Sequence, residues 1–187
     1  MDGPQLPNAL TVLRILVVPV MVVALLAETR TGDYVGGAIF ALASATDYLD
    51  GWLARRSDTI SRFGKLMDPF ADKLLVGSAL VCLVIVDRLA AWVAVVVIVR
   101  EAAVTISRTL ASGQGVVVAA AMWGKVKTCV QVLAVLLVIL VAGSPTWLDL
   151  LIYLMVVVTI LSGLDYARGV RRLLRDGEGA HAPGAVS

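Results

Sequence analysis

Six long apolar runs alternate with short polar segments along the chain. The runs cover approximately residues 9–27, 34–54, 63–86, 89–111, 121–142 and 147–167. Each is close to the ~20 apolar residues that an α-helix needs to cross a bilayer. Because backbone polar groups must be paired within lipid, such runs indicate helices. The pattern predicts an all-α integral membrane protein, a bundle of six transmembrane helices, and the polar segment 28–33 is predicted to be its first turn.

The composition leaves little room for anything other than this bundle. Of the 187 residues, 59% are hydrophobic, and the mean hydropathy is +0.91, whereas an average soluble domain is about half apolar. Residues 1–175 are therefore predicted to form a single membrane domain, and residues 176–187 a disordered tail. The net charge of +2 gives no reason to expect a nucleic-acid partner. The one histidine, His181, lies in the tail, which excludes histidine-based acid–base chemistry in the membrane body.

Positive charges are concentrated on the connections at one side of the predicted bundle. The opposite side carries only Arg30 and Arg88. Cytoplasmic connections of membrane proteins are enriched in lysine and arginine. We therefore predict that the basic side and both termini face the cytoplasm. The cations on that side are Arg55, Arg56, Arg62, Lys65, Arg108, Lys125, Lys127, Arg168, Arg171, Arg172 and Arg175.

Four aspartates occur where the second predicted helix ends and the third begins. Asp47 and Asp50 are three residues apart, and Asp68 and Asp72 are four apart. Both spacings place two carboxylates on one face of a helix. Four carboxylates facing each other remain ionised only if a cation joins them, and hard oxygen ligands suit Mg²⁺, Mn²⁺ or Ca²⁺. The sequence therefore predicts a metal site at the cytoplasmic ends of the second and third helices.

The residues between these aspartates favour a phosphate ligand. Gly51 and Gly64 would let a ligand approach the backbone, where a side chain would block it. Arg55, with other cations nearby, would supply charge-assisted hydrogen bonds to phosphate. Carboxylates, glycines and arginine together predict a diphosphate that is bound through divalent ions.

This stretch resembles the signature of the CDP-alcohol phosphotransferase family at every fixed position. The pattern reads Asp47-x2-Asp50-Gly51-x2-Ala54-Arg55-x8-Gly64-x3-Asp68-x3-Asp72. The resemblance implies a six-helix enzyme of bacterial inner membranes, usually a homodimer. It also implies a CDP-linked lipid donor, CDP-diacylglycerol, and two divalent cations, Mg²⁺ or Mn²⁺. An alcohol would attack the phosphorus next to diacylglycerol, and CMP would leave.

The resemblance also implies a role for each residue of the signature. The metals would be held by Asp47, Asp50, Asp68 and Asp72. The general base would be Asp72. The CDP group would be bordered by Asp47, Gly51, Ala54, Arg55, Ser61, Gly64 and Asp68.

A second set of residues resembles the family members whose acceptor is glycerol 3-phosphate. The likeness covers residues 7 to about 132 and implies acceptor-phosphate binding by Arg100, Arg108, Lys125 and Lys127. Because Arg100 and Glu101 are adjacent in an apolar helix, we expect each to have its own partner, and a structural ion-pair network is the alternative reading. On the first helix, Asn8, Thr11 and Arg14 recur every three residues and are candidate accessory residues; simple interfacial anchoring is the alternative for Arg14.

Other functions remain compatible with parts of this pattern. Cardiolipin synthases and inositol phosphate transferases of the same family differ in their acceptor, and charge alone does not separate inositol phosphate from glycerol 3-phosphate. A membrane prenyltransferase would carry its aspartates in two separate loops. A divalent-cation transporter would favour carboxylates near the bilayer midplane. A structural membrane protein with an ion site is the remaining alternative.

Overall fold

A computed structural model of the chain describes residues 5–57, 62–113, 122–143 and 145–179. Over these residues the backbone forms six helices and no strand, which confirms the predicted all-helical fold. The helices are α1 (Gln5–Leu26), α2 (Arg30–Ser57), α3 (Arg62–Ile85), α4 (Ala91–Gly113), α5 (Met122–Leu140) and α6 (Thr146–Gly179).

The predicted first turn, residues 28–33, is wrong from Arg30 onward because α2 already begins there. Thr29 caps this helix: its Oγ1 accepts a hydrogen bond from the Gly32 N–H at 3.0 Å. The Thr29 carbonyl accepts the first intrahelical bond from the Asp33 N–H at 2.9 Å. A threonine cap satisfies donors that would otherwise be unpaired at a helix start, so the polar residues that follow it can be helical.

The last helix continues past the end of its apolar run, residue 167, to Gly179. Residues 176–179, which were assigned to the predicted tail, therefore have a helical backbone. Residues 180–187 lie outside the described part of the chain, and for them the tail stays a prediction.

The turn between α3 and α4 is closed by a residue in the left-handed conformation. Asp87 has φ of 55°, a value that non-glycine residues seldom adopt. Its N–H bonds to the Val84 carbonyl at 3.2 Å, and the Arg88 N–H bonds to the Leu83 carbonyl at 2.9 Å. This pair of bonds is the Schellman arrangement, in which glycine usually takes the place of Asp87. The helix can thus end abruptly with its carbonyls paired, and Arg88 is fixed just beyond it.

The six helices pack around one apolar core. Helix α1 lies against α2 and α3, α5 lies against α2 and α6, and α4 lies against α3 and α6. Two glycines bring α2 close to its neighbours: a Cβ on Gly36 would lie 2.6 Å from Leu25 Cδ2, and one on Gly37 would lie 2.8 Å from Leu140 Cδ2. Small residues allow such close helix contacts in membranes. The most deeply buried side chains include Met21, Phe40, Leu75, Leu80, Ile139 and Met155.

Much of the described surface is apolar. Large hydrophobic side chains such as Leu16, Val23, Leu42 and Leu150 are exposed, which is unusual for a soluble monomer. Within the described ranges, one apolar segment, Thr146–Gly169 of α6, is long enough to cross a bilayer. Three shorter apolar segments lie within α1, α3 and α5: Val12–Leu26, Lys73–Ile85 and Val126–Leu140. The fold is consistent with a helical membrane protein.

A buried ion pair joins three elements at the end of the bundle where α2 begins. Asp33 is almost fully buried, and its Oδ1 lies 2.6 Å from Arg88 Nη1. The same nitrogen donates to the Ile139 carbonyl at 3.3 Å. One guanidinium thus ties the start of α2, the α3–α4 turn and the end of α5 together.

We predict that Asp33→Asn lowers the free energy of unfolding by on the order of 3 kcal/mol, because it leaves Arg88 without its charged partner. Asp149→Asn is a matched control, since Asp33 and Asp149 both lie in the first turn of a helix and Asp149 is exposed. The control should lose less than about 1 kcal/mol, the helix-dipole contribution. Unfolding in mixed micelles with increasing detergent denaturant measures both variants. Equal losses would contradict the role given to the ion pair.

Candidate functional site

The predicted metal ligands lie on the two helices expected to carry them. Asp47 and Asp50 lie on α2, and Asp68 and Asp72 lie on α3. Of their side chains, only that of Asp47 belongs to the described part of the structure. Among the described side chains, no three His, Cys, Asp or Glu residues come together as a metal site. That all four carboxylates meet therefore stays a prediction.

The other predicted residues of this region fall on the same helices or outside the described parts. Gly51, Ala54 and Arg55 are on α2, and Gly64 is on α3. Asn8 and Thr11 are on α1, and Lys125 is on α5. The side chains of all these residues lie outside the described set, as does the whole of Ser61. Their assigned roles stay predictions.

Arg14 contacts the one predicted metal ligand whose side chain is described. Its Nη1 lies 2.8 Å from Asp47 Oδ1, so the ion pair joins α1 to the end of α2. The Arg14 side chain is 3% exposed, whereas that of Asp47 is 36% exposed. A charge buried in an apolar bundle needs such a partner. This burial contradicts the alternative that Arg14 is a simple interfacial anchor, whereas the Asp47 side chain is partly exposed.

Two of the four predicted acceptor residues meet at a single carboxylate. Arg100 Nη1 donates to Glu101 Oε1 at 3.0 Å, and Lys127 Nζ donates to the same oxygen. The three side chains are largely buried, with 14%, 19% and 7% exposure for Arg100, Glu101 and Lys127. Each residue has a partner of its own, as expected, since Lys127 contacts Glu101 and Ser162 contacts Arg100; the expectation that the two adjacent residues would not pair with each other was wrong. Although their Cβ atoms point in different directions, the two long side chains bend together within the apolar bundle.

Helix α6 holds the two arginines of α4. Ser162 Oγ accepts a hydrogen bond from Arg100 Nη2 at 2.9 Å, and donates to the Thr159 carbonyl at 3.0 Å. One turn further along α6, the Tyr166 ring lies 5.9 Å from the Arg108 guanidinium carbon. Such a distance is within the range of a cation–π interaction. We use the name Glu101 cluster for Arg100, Glu101, Lys127 and Ser162.

Glu101, Ser162 and Tyr166 were not among the predicted site residues. A signal for the α6 pair was present, since Ser162 and Tyr166 are four residues apart and Arg100 and Arg108 are eight apart. Both spacings recur on one face of a helix. A polar pair on α6 could therefore have been matched with the arginines of α4.

The Glu101 cluster has more positive than negative charge. Lys73, on α3 directly after Asp72, lies within electrostatic reach of the Glu101 carboxylate as well. Arg100 Nε is buried and has no hydrogen-bond partner within the described part of the chain. Partly buried cations with donors available suit an anionic ligand, and arginine suits phosphate in particular. Through Lys73 the cluster also lies next to the helix that carries Asp68 and Asp72.

A polar cavity at the other end of the bundle contains none of the predicted site residues. It has a volume of about 370 Å³, and its lining includes Asp33, Arg88 and Asp149. Its most buried charge, Asp33, is already paired with Arg88. The candidate site is therefore the end formed by Asp47 and the Glu101 cluster.

Known proteins resemble this chain along most of its length. Residues 4–161 match the family described as CDP-alcohol phosphatidyltransferase. A Bacillus subtilis (strain 168) protein named CDP-diacylglycerol–glycerol-3-phosphate 3-phosphatidyltransferase is 40% identical over 180 residues, covering 87% of this chain and 93% of the relative. Proteins of the same name from Rickettsia felis and Haemophilus influenzae are 33% and 31% identical. They cover 90% and 92% of this chain and 96% of each relative.

We predict that Ser162→Ala lowers the free energy of unfolding by roughly 2 kcal/mol, because Arg100 loses a charge-assisted hydrogen bond in a buried place. Ser107→Ala is the matched control. Its hydroxyl also donates to a carbonyl of its own helix, at 2.8 Å, but among the described side chains it accepts no bond from an arginine. The control should change stability by less than about 0.5 kcal/mol. Thermal unfolding in detergent compares the two, and equal stability of both variants would show that the Ser162–Arg100 bond contributes nothing.

Proposed function

Because the chain belongs to the CDP-alcohol phosphatidyltransferase family, we propose that it transfers a phosphatidyl group from CDP-diacylglycerol to glycerol 3-phosphate. The products are phosphatidylglycerol phosphate and CMP, so the enzyme acts in phospholipid biosynthesis. The structural observation that supports this acceptor is the convergence of Arg100 and Lys127, both largely buried, at one carboxylate. The relatives named for this reaction support the same acceptor.

The charge of the acceptor favours glycerol 3-phosphate over the acceptor of a cardiolipin synthase. A phosphate monoester carries about −1.5 to −2 charges at neutral pH and three acceptor oxygens. Phosphatidylglycerol presents a phosphodiester with one charge. A cluster in which cations outnumber carboxylates offers more to the monoester. An inositol phosphate would be attracted equally. The names of the relatives favour glycerol 3-phosphate, and the acceptor assay distinguishes these two acceptors.

We further propose that Asp47, Asp50, Asp68 and Asp72 hold two divalent cations, Mg²⁺ or Mn²⁺. The donor set fits, since all four are hard oxygen ligands, and the Asp47 carboxylate is exposed enough to bind while Arg14 orients it. When bound, the cations would neutralise the diphosphate and stabilise the leaving CMP. Gly51, Ala54, Arg55, Ser61 and Gly64 would border the CDP group.

The proposed transfer requires the acceptor hydroxyl to lose its proton. Asp72 would accept that proton while the hydroxyl oxygen forms a bond to the phosphorus next to diacylglycerol. The bond from this phosphorus to the oxygen of CMP breaks, and CMP takes the electron pair. Lys73 follows Asp72 directly and lies within reach of Glu101. Helix α3, which carries Asp72, also packs against α4 and α5, which carry the acceptor cations.

We also propose that all six helices cross the inner membrane of a bacterial cell, with the site and both termini in the cytoplasm. The exposed apolar side chains support a position within the membrane. The uneven distribution of cations supports the orientation. A homodimer is proposed from the family resemblance. The relatives give no support to the transporter, prenyltransferase or purely structural alternatives.

The proposed function predicts release of CMP that depends on both a divalent metal and glycerol 3-phosphate. Purified protein in detergent would receive CDP-diacylglycerol, Mg²⁺ and one labelled acceptor at a time, with inositol phosphate and phosphatidylglycerol as the competing acceptors. Asp72→Asn should abolish transfer, because it removes the proposed base, and should leave binding of CDP-diacylglycerol largely intact, because three of the four proposed metal ligands remain. Transfer to another acceptor only would discard the acceptor assignment. Near-normal turnover by Asp72→Asn would discard that residue as the base.

Arg14 is predicted to support metal binding through Asp47. Arg14→Met keeps the length of the side chain but removes its charge, so the Asp47 carboxylate loses its ion pair to α1. Loss of a group that orients a metal ligand typically weakens affinity by about 10–100-fold. Binding of Mn²⁺ to the purified protein, followed by electron paramagnetic resonance, should weaken accordingly. Arg30→Met, an exposed arginine at the opposite end, is the control, and equal affinity in the two variants would refute this role.

A further inference from the structure

Glu101 has no part in the chemistry described so far, although it lies between residues assigned to the acceptor. We propose that Glu101 is a positioning residue: its carboxylate holds Arg100 and Lys127 together so that both cations can bind the phosphate of the acceptor alcohol. This assignment rests on the proposed function. It concerns a residue that contacts the binding groups and not the reacting atoms.

The geometry supports this role because both cations reach a single oxygen. Arg100 Nη1 and Lys127 Nζ both donate to Glu101 Oε1, although Arg100 belongs to α4 and Lys127 to α5. A carboxylate that only neutralised one cation would not need to bridge two helices. The shared oxygen fixes the separation of two donors, which is what a phosphate with several acceptor oxygens requires.

The balance of charge shows why a carboxylate does not spoil an anion site here. Two cations, Arg100 and Lys127, contact the one carboxylate of Glu101, so this carboxylate neutralises only part of their charge. Without Glu101 the cations would repel each other within an apolar bundle. Long basic side chains then extend toward the membrane surface, where lipid phosphates compete for them.

Helix α6 restricts Arg100 from the opposite side. Ser162 accepts a bond from Arg100 Nη2, and Gly163 lies against the stem of the same side chain. A Cβ on Gly163 would lie 3.3 Å from Arg100 Cγ, so the arginine would have to move by a few tenths of an ångström. Arg100 is thus held between Glu101 and α6. Gly163 therefore offers a way to displace Arg100 without changing any charge.

The first test is Glu101→Gln, which keeps the shape of the side chain and removes its charge. The KM for glycerol 3-phosphate should rise roughly tenfold, the size of one charge-assisted hydrogen bond. The kcat and the KM for CDP-diacylglycerol should each stay within about threefold, since the donor site is unchanged. Inorganic phosphate, used as a competitor of glycerol 3-phosphate, should show an inhibition constant raised by the same factor as the KM.

The second test covers the case in which Glu101→Gln does not fold. Gly163→Ala should raise the KM for glycerol 3-phosphate by roughly threefold, with the same selectivity, through a small displacement of Arg100. Gly169→Ala is its matched control on α6, because a Cβ there would meet nothing within 4 Å. The control should have the kinetic constants of the unsubstituted protein. If Glu101→Gln cannot be purified, the comparison of Gly163→Ala with Gly169→Ala tests the positioning role without it.

The outcomes separate the positioning role from the proposed function. If the unsubstituted protein does not use glycerol 3-phosphate, the proposed function fails, and this assignment fails with it. If it does, but the KM for glycerol 3-phosphate is unchanged in the variants that fold, the positioning role alone is wrong. A lower kcat, with the KM for glycerol 3-phosphate and the phosphate inhibition constant unchanged, would indicate that Glu101 is a purely structural residue.

Discussion

The need to pair every buried charge determines how this bundle is held together. Apolar helices attract one another weakly in lipid, whereas an unpaired charge among them is costly. Arg14 meets Asp47 between α1 and α2, and Asp33 meets Arg88 near the start of α2. Glu101 joins α4 to α5. Helices that are distant in the chain are thus connected by a few charged contacts, and the apolar core fills the space between them.

The two ends of the bundle use this requirement differently. At one end Asp33 and Arg88 form a pair in which one charge balances the other. At the other end Arg100 and Lys127 both contact the single carboxylate of Glu101. We propose that the acceptor phosphate binds at that end. In this proposal the contacts that stabilise the fold also prepare the acceptor site before the substrate arrives.

The sequence was sufficient for the number and order of the helices, because apolar runs of about 20 residues are far longer than a strand. It was less informative where a single side chain decides the local structure. The cap made by Thr29 moved the start of α2 into a polar segment. The pairing of Arg100 with Glu101 was missed because the rule for adjacent helix positions describes Cβ directions, and long side chains can bend around it. Gly163 carries no charge or hydroxyl, and its contact with Arg100 depends on tertiary packing.

The most direct measurement of this account is an experimental structure of the protein with glycerol 3-phosphate bound. We predict that the phosphate lies within hydrogen-bond distance of Arg100 and Lys127, with both side chains still in contact with Glu101. A phosphate bound elsewhere, with the contacts of Arg100 and Lys127 unchanged, would contradict the account. The Glu101 cluster would then be a structural ion-pair network, and the acceptor site would have to be sought among other residues.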